Sequence, residues 1–250
     1  LCSFLLPVAI LAFILLTQNI YWNSPTTILA SDGFHQYVIF AQNLRNILHG
    51  QDSLFYTFTS GLGLNFYALI SYYLGSFLSP FVYFFNLETM PDAIYLFTLI
   101  KVGLMGLSSY YMLTKLYTKL HRALALALSL SYSLMSFAMS QIEINMWLDV
   151  FILAPLIILG LDRLIKNRKV LLYYLALSLL FIQNYYFGFM MAIFLVLYSI
   201  TLLSRLTTWK ERLLSFVRFG FISLLAALTS CVMLLPTYLD LSTHGEELTR

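Results

Sequence analysis

Apolar runs of bilayer length recur along this 250-residue chain, and no other feature constrains its fold as strongly. Seven can be read, at roughly 4–21, 92–114, 123–141, 148–163, 170–185, 187–204 and 215–236, of which the fourth and fifth are short. A hydrocarbon core takes about 20 apolar residues per helical crossing. Inside it every backbone N–H and C=O must find a partner within the chain, so spans of this kind are helices. A membrane barrel would show alternating segments of about ten residues, and these runs do not alternate. Charged residues make up only 10% of the chain, against about 25% in a soluble domain. The predicted fold is all-α, a polytopic transmembrane helical bundle, with residues 1–250 forming a single transmembrane domain.

The charges sort by side. Lys115, Lys119 and Arg122 follow the second run, and Arg163, Lys166, Arg168 and Lys169 follow the fourth. Arg205, Lys210, Arg212 and Arg218 follow the sixth, so 11 of the 14 Lys and Arg fall in three turns on one side. The positive-inside bias makes that side cytoplasmic. Nine of the 11 acids sort the other way: Asp32, Asp52, Glu88, Asp92, Glu143, Asp149, Asp240, Glu246 and Glu247. Topology accounts for the basic turns, and no nucleic-acid partner is read from them. Cys2 and Cys231 lie in apolar runs near opposite ends of the chain and form no redox, disulfide or metal spacing. The chain starts at Leu1 inside an apolar run and stops at Arg250 in what reads as a further outer segment. The expectation is the N-terminal part of a longer membrane protein.

Residues 22–91 form one outer segment, too long for a plain connection and therefore expected to carry its own structure. From Asp32 to His49 the pattern is helical. Asp32, His35, Gln36, Gln42, Asn43 and Asn46 share one face, and Phe34, Tyr37, Phe40, Ala41, Leu44, Ile47 and Leu48 occupy much of the other. This predicts an amphipathic helix at the membrane interface, apolar face down. Ser31 is placed as its N-cap and Gly50 as its stop. Thr57 to Asn65 holds two glycines among small polar residues and reads as a loop; Gly61-Leu62-Gly63 alone is no phosphate-binding motif. The run from Phe66 to Phe85 is apolar, rich in tyrosine and broken by Pro80. A full crossing there would turn the basic turns outward, so one or two re-entrant or interfacial helices are expected. Asp32, at the head of this segment, is either a reactive carboxylate or a helix-stabilising one. Lys101 lies near the middle of the second run, where a charge costs ~2.5–3.5 kcal/mol. It calls for a partner, either a lipid phosphate or a carboxylate.

Several stretches carry a family resemblance. An acid heads a structured outer loop, followed by an amphipathic helix and then Gly-Leu-Gly-Leu-Asn at 61–65 and Tyr-Tyr-Leu-Gly-Ser-Phe-Leu-Ser-Pro-Phe at 72–81. Glu143 to Asp149 (EINMWLD) and Gln183 to Phe189 (QNYYFGF) follow later. Together these resemble the bacterial YfhO family along the whole chain. The resemblance implies a GT-C-like membrane glycosyltransferase that decorates lipoteichoic acid or a related cell-wall polymer at the extracytoplasmic face. It implies a polyprenyl-phosphate sugar donor, membrane lipid surroundings and, at the position of Asp32, the catalytic base. His35, one turn on, and Gln36 are candidate substrate contacts, as is Lys101 toward a lipid phosphate. Glu143, Asn145 and Asp149 are candidates for positioning the acceptor or holding a divalent cation, since hard cations take such oxygens. Asn184, Tyr185 and Tyr186 are candidates for stacking on or hydrogen-bonding sugar, beside the plainer reading of an interfacial tyrosine belt. The rival function is a transporter or flippase, which Lys101 favours; the gathering of acids at the outer rim and the lack of an evident repeat favour transfer.

Overall fold

The structure, a computed structural model, describes residues 1–59 and 63–247. Among them helices account for every regular element, and only two isolated bridges occur, Ile20 with Thr26 and Thr57 with Leu64. Residues 60–62, which hold Gly61 of the expected loop, and 248–250 lie outside the described residues.

Helix α1 (Cys2–Thr17) packs against α4 (Met90–Leu116), where Gly103 and Gly106 let the two backbones approach. Helices α5 (Arg122–Ser133) and α6 (Ser136–Ser140) return along α4. They are followed by α7 (Asn145–Asn167), α8 (Leu171–Gln183), α9 (Tyr185–Leu203), α10 (Trp209–Thr229) and α11 (Cys231–Glu247). One apolar core joins α7 to α10 through residues such as Leu153, Ile157, Tyr173, Leu177, Leu195 and Phe219. A second joins α1, α4, α6 and α7 through Leu11, Val102, Met105, Ala138 and Leu148.

Among the described residues four stretches are long and apolar enough to cross a membrane: α4, the pair α5–α6, α9 and α10. The seven-run reading is corrected at its fourth and seventh runs, while the fifth is short as expected. The fourth run is longer than expected, since α7 has 23 residues and takes in Arg163 and Lys166. The fifth, α8, has 13 residues, about 20 Å at 1.5 Å per residue. The seventh is split at Ser230, whose hydroxyl donates to the carbonyls of Ser178 and Ala226. That hydrogen bond pins the break between α10 and α11 to α8, a tertiary cause with no local sequence sign.

The basic turns share one end of the bundle. Lys115 and Arg163 both lie over the Tyr111 ring, at 5.8 and 5.7 Å. Leu1 and Arg122 line one surface pocket, and Leu164, Leu202 and Leu203 share a core beneath the other two turns.

The opposite end carries the segment between α1 and α4. A π-helical turn (Gly33–Tyr37) runs directly into α2 (Val38–Leu48). Gly50, at φ +73°, stops it: its N–H reaches the Ile47 carbonyl, and that of Gln51 the Asn46 carbonyl. This is the paired ending that a left-handed residue permits. Ser31 does not cap through its side chain. Its backbone is left-handed (φ +45°), and its carbonyl accepts from the N–H groups of Phe34 and His35. The apolar face of α2 is covered by protein rather than lipid: Phe40, Ala41 and Leu44 pack with Phe66, Leu74, Leu78, Val82, Met90 and Phe97. Asn43, expected on the open polar face, is buried and donates to Thr57 and Thr59. It ties α2 to the small bridge closed by Thr57 and Leu64.

The tyrosine-rich run forms short pieces, as expected of a non-spanning segment. These are α3 (Phe66–Leu69), a second π-helical turn (Ile70–Leu74) and a 3₁₀ helix (Ser79–Phe84). Bonds from Tyr67 Oη to the Val232 carbonyl, between Ser71 and Thr237, and from Asn65 to Asp240 fasten α11 over it.

Candidate functional site

The two π-helical turns bring the candidate acid and the tyrosines together. Asp32 heads the first turn, exposed, directly after the left-handed Ser31. A non-glycine residue in that backbone region costs ~1–2 kcal/mol, and such strain collects at functional positions. Gln36 Nε2 donates to Asp32 Oδ1 at 3.3 Å, and the Tyr73 hydroxyl donates to Gln36 Oε1 at 3.2 Å. Tyr73 is packed among Phe40, Tyr37 and Tyr72, with ring centroids 4.9, 5.6 and 4.8 Å away. Tyr72 in turn meets Tyr185 at 5.7 Å. The result is a shelf of tyrosines running from Asp32 to the start of α9.

Burial raises the Tyr37 phenol above its ordinary range, and the negative charge of Asp32 adds to the shift, with Tyr73, Tyr72 and Glu143 behind it. Tyr73 moves the same way, through burial first and then Tyr72, Asp32 and Tyr185. Both side chains are therefore neutral phenols that keep a proton to donate. Glu143 approaches from the turn before α7. A methyl group on Gly33 would sit 3.8 Å from its Cβ, so Asp32 and Glu143 flank the same π-helical turn.

Below the shelf lies a second polar group, fully buried. Lys101 and Asp149 are 2% and 1% exposed and their charged atoms are 2.6 Å apart. The ammonium also donates to the Asn145 carbonyl at 3.0 Å and to Asn145 Oδ1 at 2.6 Å. Its three protons are thus all engaged. Asn145 Nδ2 donates to Thr98, and Ser76 donates to Asp149 Oδ1 at 2.9 Å. Of the two partners that Lys101 called for, the structure provides the carboxylate. A small cavity of about 50 Å³ separates the tiers, lined on its polar side by Tyr37, Tyr73, Ser76, Ser79, Lys101 and Asn145.

The remaining candidates divide. Glu143, Asn145 and Asp149 do not form one cluster: Glu143 faces the first π-helical turn, while Asn145 and Asp149 turn inward to Lys101. Among the described residues no group of three or more His, Cys, Asp or Glu is placed to hold a metal ion. Asn145 and Asp149, already occupied by an ammonium, do not fit a divalent cation. His35 is exposed and packs edge-on to Phe34 at 5.4 Å; Gln36 takes the bond to Asp32 instead. Asn184 is buried and structural in its bonds, accepting from Phe187 N to cap α9 and donating to the Tyr72 carbonyl. Tyr185 joins the shelf, whereas Tyr186 is exposed and packs on Phe187. Sequence reasoning missed Tyr37, Tyr72, Tyr73, Ser76 and Thr98. The density of tyrosine after Phe66 was the available signal for two of them.

The family model described as "Bacterial membrane protein YfhO" aligns with residues 3–250. No curated protein and no solved structure matched the chain.

Proposed function

Because the chain belongs to the YfhO family of bacterial membrane proteins, we propose that it is a glycosyltransferase of GT-C type. It moves a sugar from a polyprenyl-phosphate donor to a cell-wall polymer such as lipoteichoic acid, at the extracytoplasmic face of the cell membrane. The observation that carries this reading is Asp32: an exposed carboxylate after a strained residue, held at one oxygen by Gln36 and set beside a shelf of neutral phenols. Asp32 accepts the proton of an acceptor hydroxyl as that oxygen bonds to the anomeric carbon. The bond from the anomeric carbon to the donor phosphate breaks, and its electron pair leaves with the phosphate. Tyr37, Tyr72 and Tyr185 offer faces on which a sugar ring can rest, and neutral phenols beside a phosphate donate without adding charge.

The sorting of acids and bases supports an outward-facing site, since the basic turns share the far end of the bundle. A transporter draws its main support from Lys101. The engagement of all three of its protons inside the protein weighs for transfer over transport.

The test is sugar transfer by the full-length protein from a polyprenyl-phosphate-linked sugar. General-base groups contribute typically ~10²–10⁴-fold, so Asp32→Asn should lose transfer by that order at normal membrane levels. Asp52→Asn, in the exposed loop after Gly50, should behave as the parent. Near-parental transfer by Asp32→Asn would remove the proposal.

A further inference from the structure

Resting on that reading of Asp32, we propose that Tyr73 and Gln36 are positioning residues. Together they fix the Asp32 carboxylate by one oxygen so that the other faces the acceptor hydroxyl. The argument starts from the direction of the hydrogen bonds. An amide side chain has one accepting end and one donating end. Gln36 lies between a phenol and a carboxylate, at 3.2 and 3.3 Å. With Nε2 turned to Tyr73, Oε1 would face Asp32 Oδ1, opposing two acceptors. With Oε1 turned to Tyr73, every group is satisfied: the phenol donates, the amide oxygen accepts and the amide nitrogen donates to the carboxylate. The neutral state of Tyr73 fits that order. Asp32 Oδ1 is thereby occupied, while Oδ2 accepts no hydrogen bond among the described residues.

The supports of this chain are unusual in the same way. Gln36 and Tyr73 come from the two π-helical turns, 33–37 and 70–74, a geometry that often appears at functional positions. The turn carrying Tyr73 is anchored at three points. Ser76 bonds the buried Asp149, the Tyr72 carbonyl accepts from Asn184, and Gly75 lies so close to Gln183 that a Cβ would meet its backbone at 2.6 Å. The exposed acid is therefore referenced through Gln36, Tyr73 and Ser76 to the Lys101–Asp149 pair between α4 and α7. A mobile surface carboxylate becomes one with a fixed position relative to the bundle.

The experiment measures sugar transfer by the full-length protein carrying Tyr73→Phe, Gln36→Leu, both together, and Asp32→Asn for reference. A misplacement of the order of 1 Å can cost ~10²-fold, so each single variant should lower kcat by roughly 10- to 100-fold with the donor KM unchanged. Tyr73 acts through Gln36, so the double variant should be no slower than Gln36→Leu alone. Tyr73→Phe keeps the ring and its packing, so a fall in its membrane level is not expected. A rise in donor KM at constant kcat would make these residues substrate ligands and overturn the proposal, as would additive losses. Parental kcat in Tyr73→Phe with activity lost in Asp32→Asn would overturn positioning alone. Parental kcat in Asp32→Asn would overturn the reading of Asp32 and this proposal with it.

Discussion

Replacing Lys101 by Met isolates the charge of the buried pair, because Met has nearly the length and volume of the lysine stem. The variant leaves the Asp149 carboxyl 1% exposed, with Ser76 as its remaining partner. It also strips the Asn145 carbonyl and Oδ1 of their donor. Removing one member of a buried pair typically costs ~3–5 kcal/mol, because an uncompensated charge stays behind. Replacing both members with apolar residues is often neutral. Here Lys101→Met with Asp149→Leu still orphans the Ser76 hydroxyl, a penalty of ~1–3 kcal/mol. The order of stability should be parent, then the double variant, then Lys101→Met, the last two separated by about 2 kcal/mol. Thermal unfolding of the purified protein in detergent, read by resistance to proteolysis, measures this order. A double variant as unstable as Lys101→Met, or a Lys101→Met protein as stable as the parent, would refute the account of Lys101 as an internally satisfied cation.

Two further outcomes follow from the shelf. Gly75→Ala pushes a methyl group onto the Gln183 backbone; overpacking of this kind costs ~1–3 kcal/mol, and proteolysis should open the 66–85 segment before the rest of the bundle. Burial and Asp32 raise the Tyr37 phenol. Its contribution to stability is therefore complete below the ordinary phenol value and is lost as pH rises through the higher folded value. Tyr37→Phe should flatten the alkaline limb of stability against pH, and an unchanged limb would show that Tyr37 does not titrate with unfolding.

The helices were legible because a membrane leaves the backbone no other choice. Asp32 stood out as a candidate because an acid at the head of a long loop with a single basic residue is conspicuous. The partners of Lys101 were not legible as a set. Asp149 is 48 residues away and Ser76 lies in a separate segment, so no local period links them. The apolar face of α2 was visible, but a stripe of Phe40, Ala41 and Leu44 reads the same whether lipid or Val82 and Phe97 cover it. The clustering of Glu143 with Asn145 and Asp149 failed because spacing in sequence does not tell which side of a helix start each residue leaves from. The π-helical turns, from which Gln36 and Tyr73 come, carry no signature in a helical-wheel reading.

The shortness of α8 has a consequence for the membrane itself. At about 20 Å it is shorter than a hydrocarbon core of ~30 Å, and the chain reverses at once through Asn184 into α9. The Asn184 side chain at that reversal donates to the Tyr72 carbonyl, so the end of the short helix and the shelf meet at one place. Bilayers thin locally around spans shorter than their hydrocarbon core. Thinning of that kind would bring the headgroup level toward the shelf, and an amphiphile's phosphate toward the tyrosines, while its tail stayed in hydrocarbon.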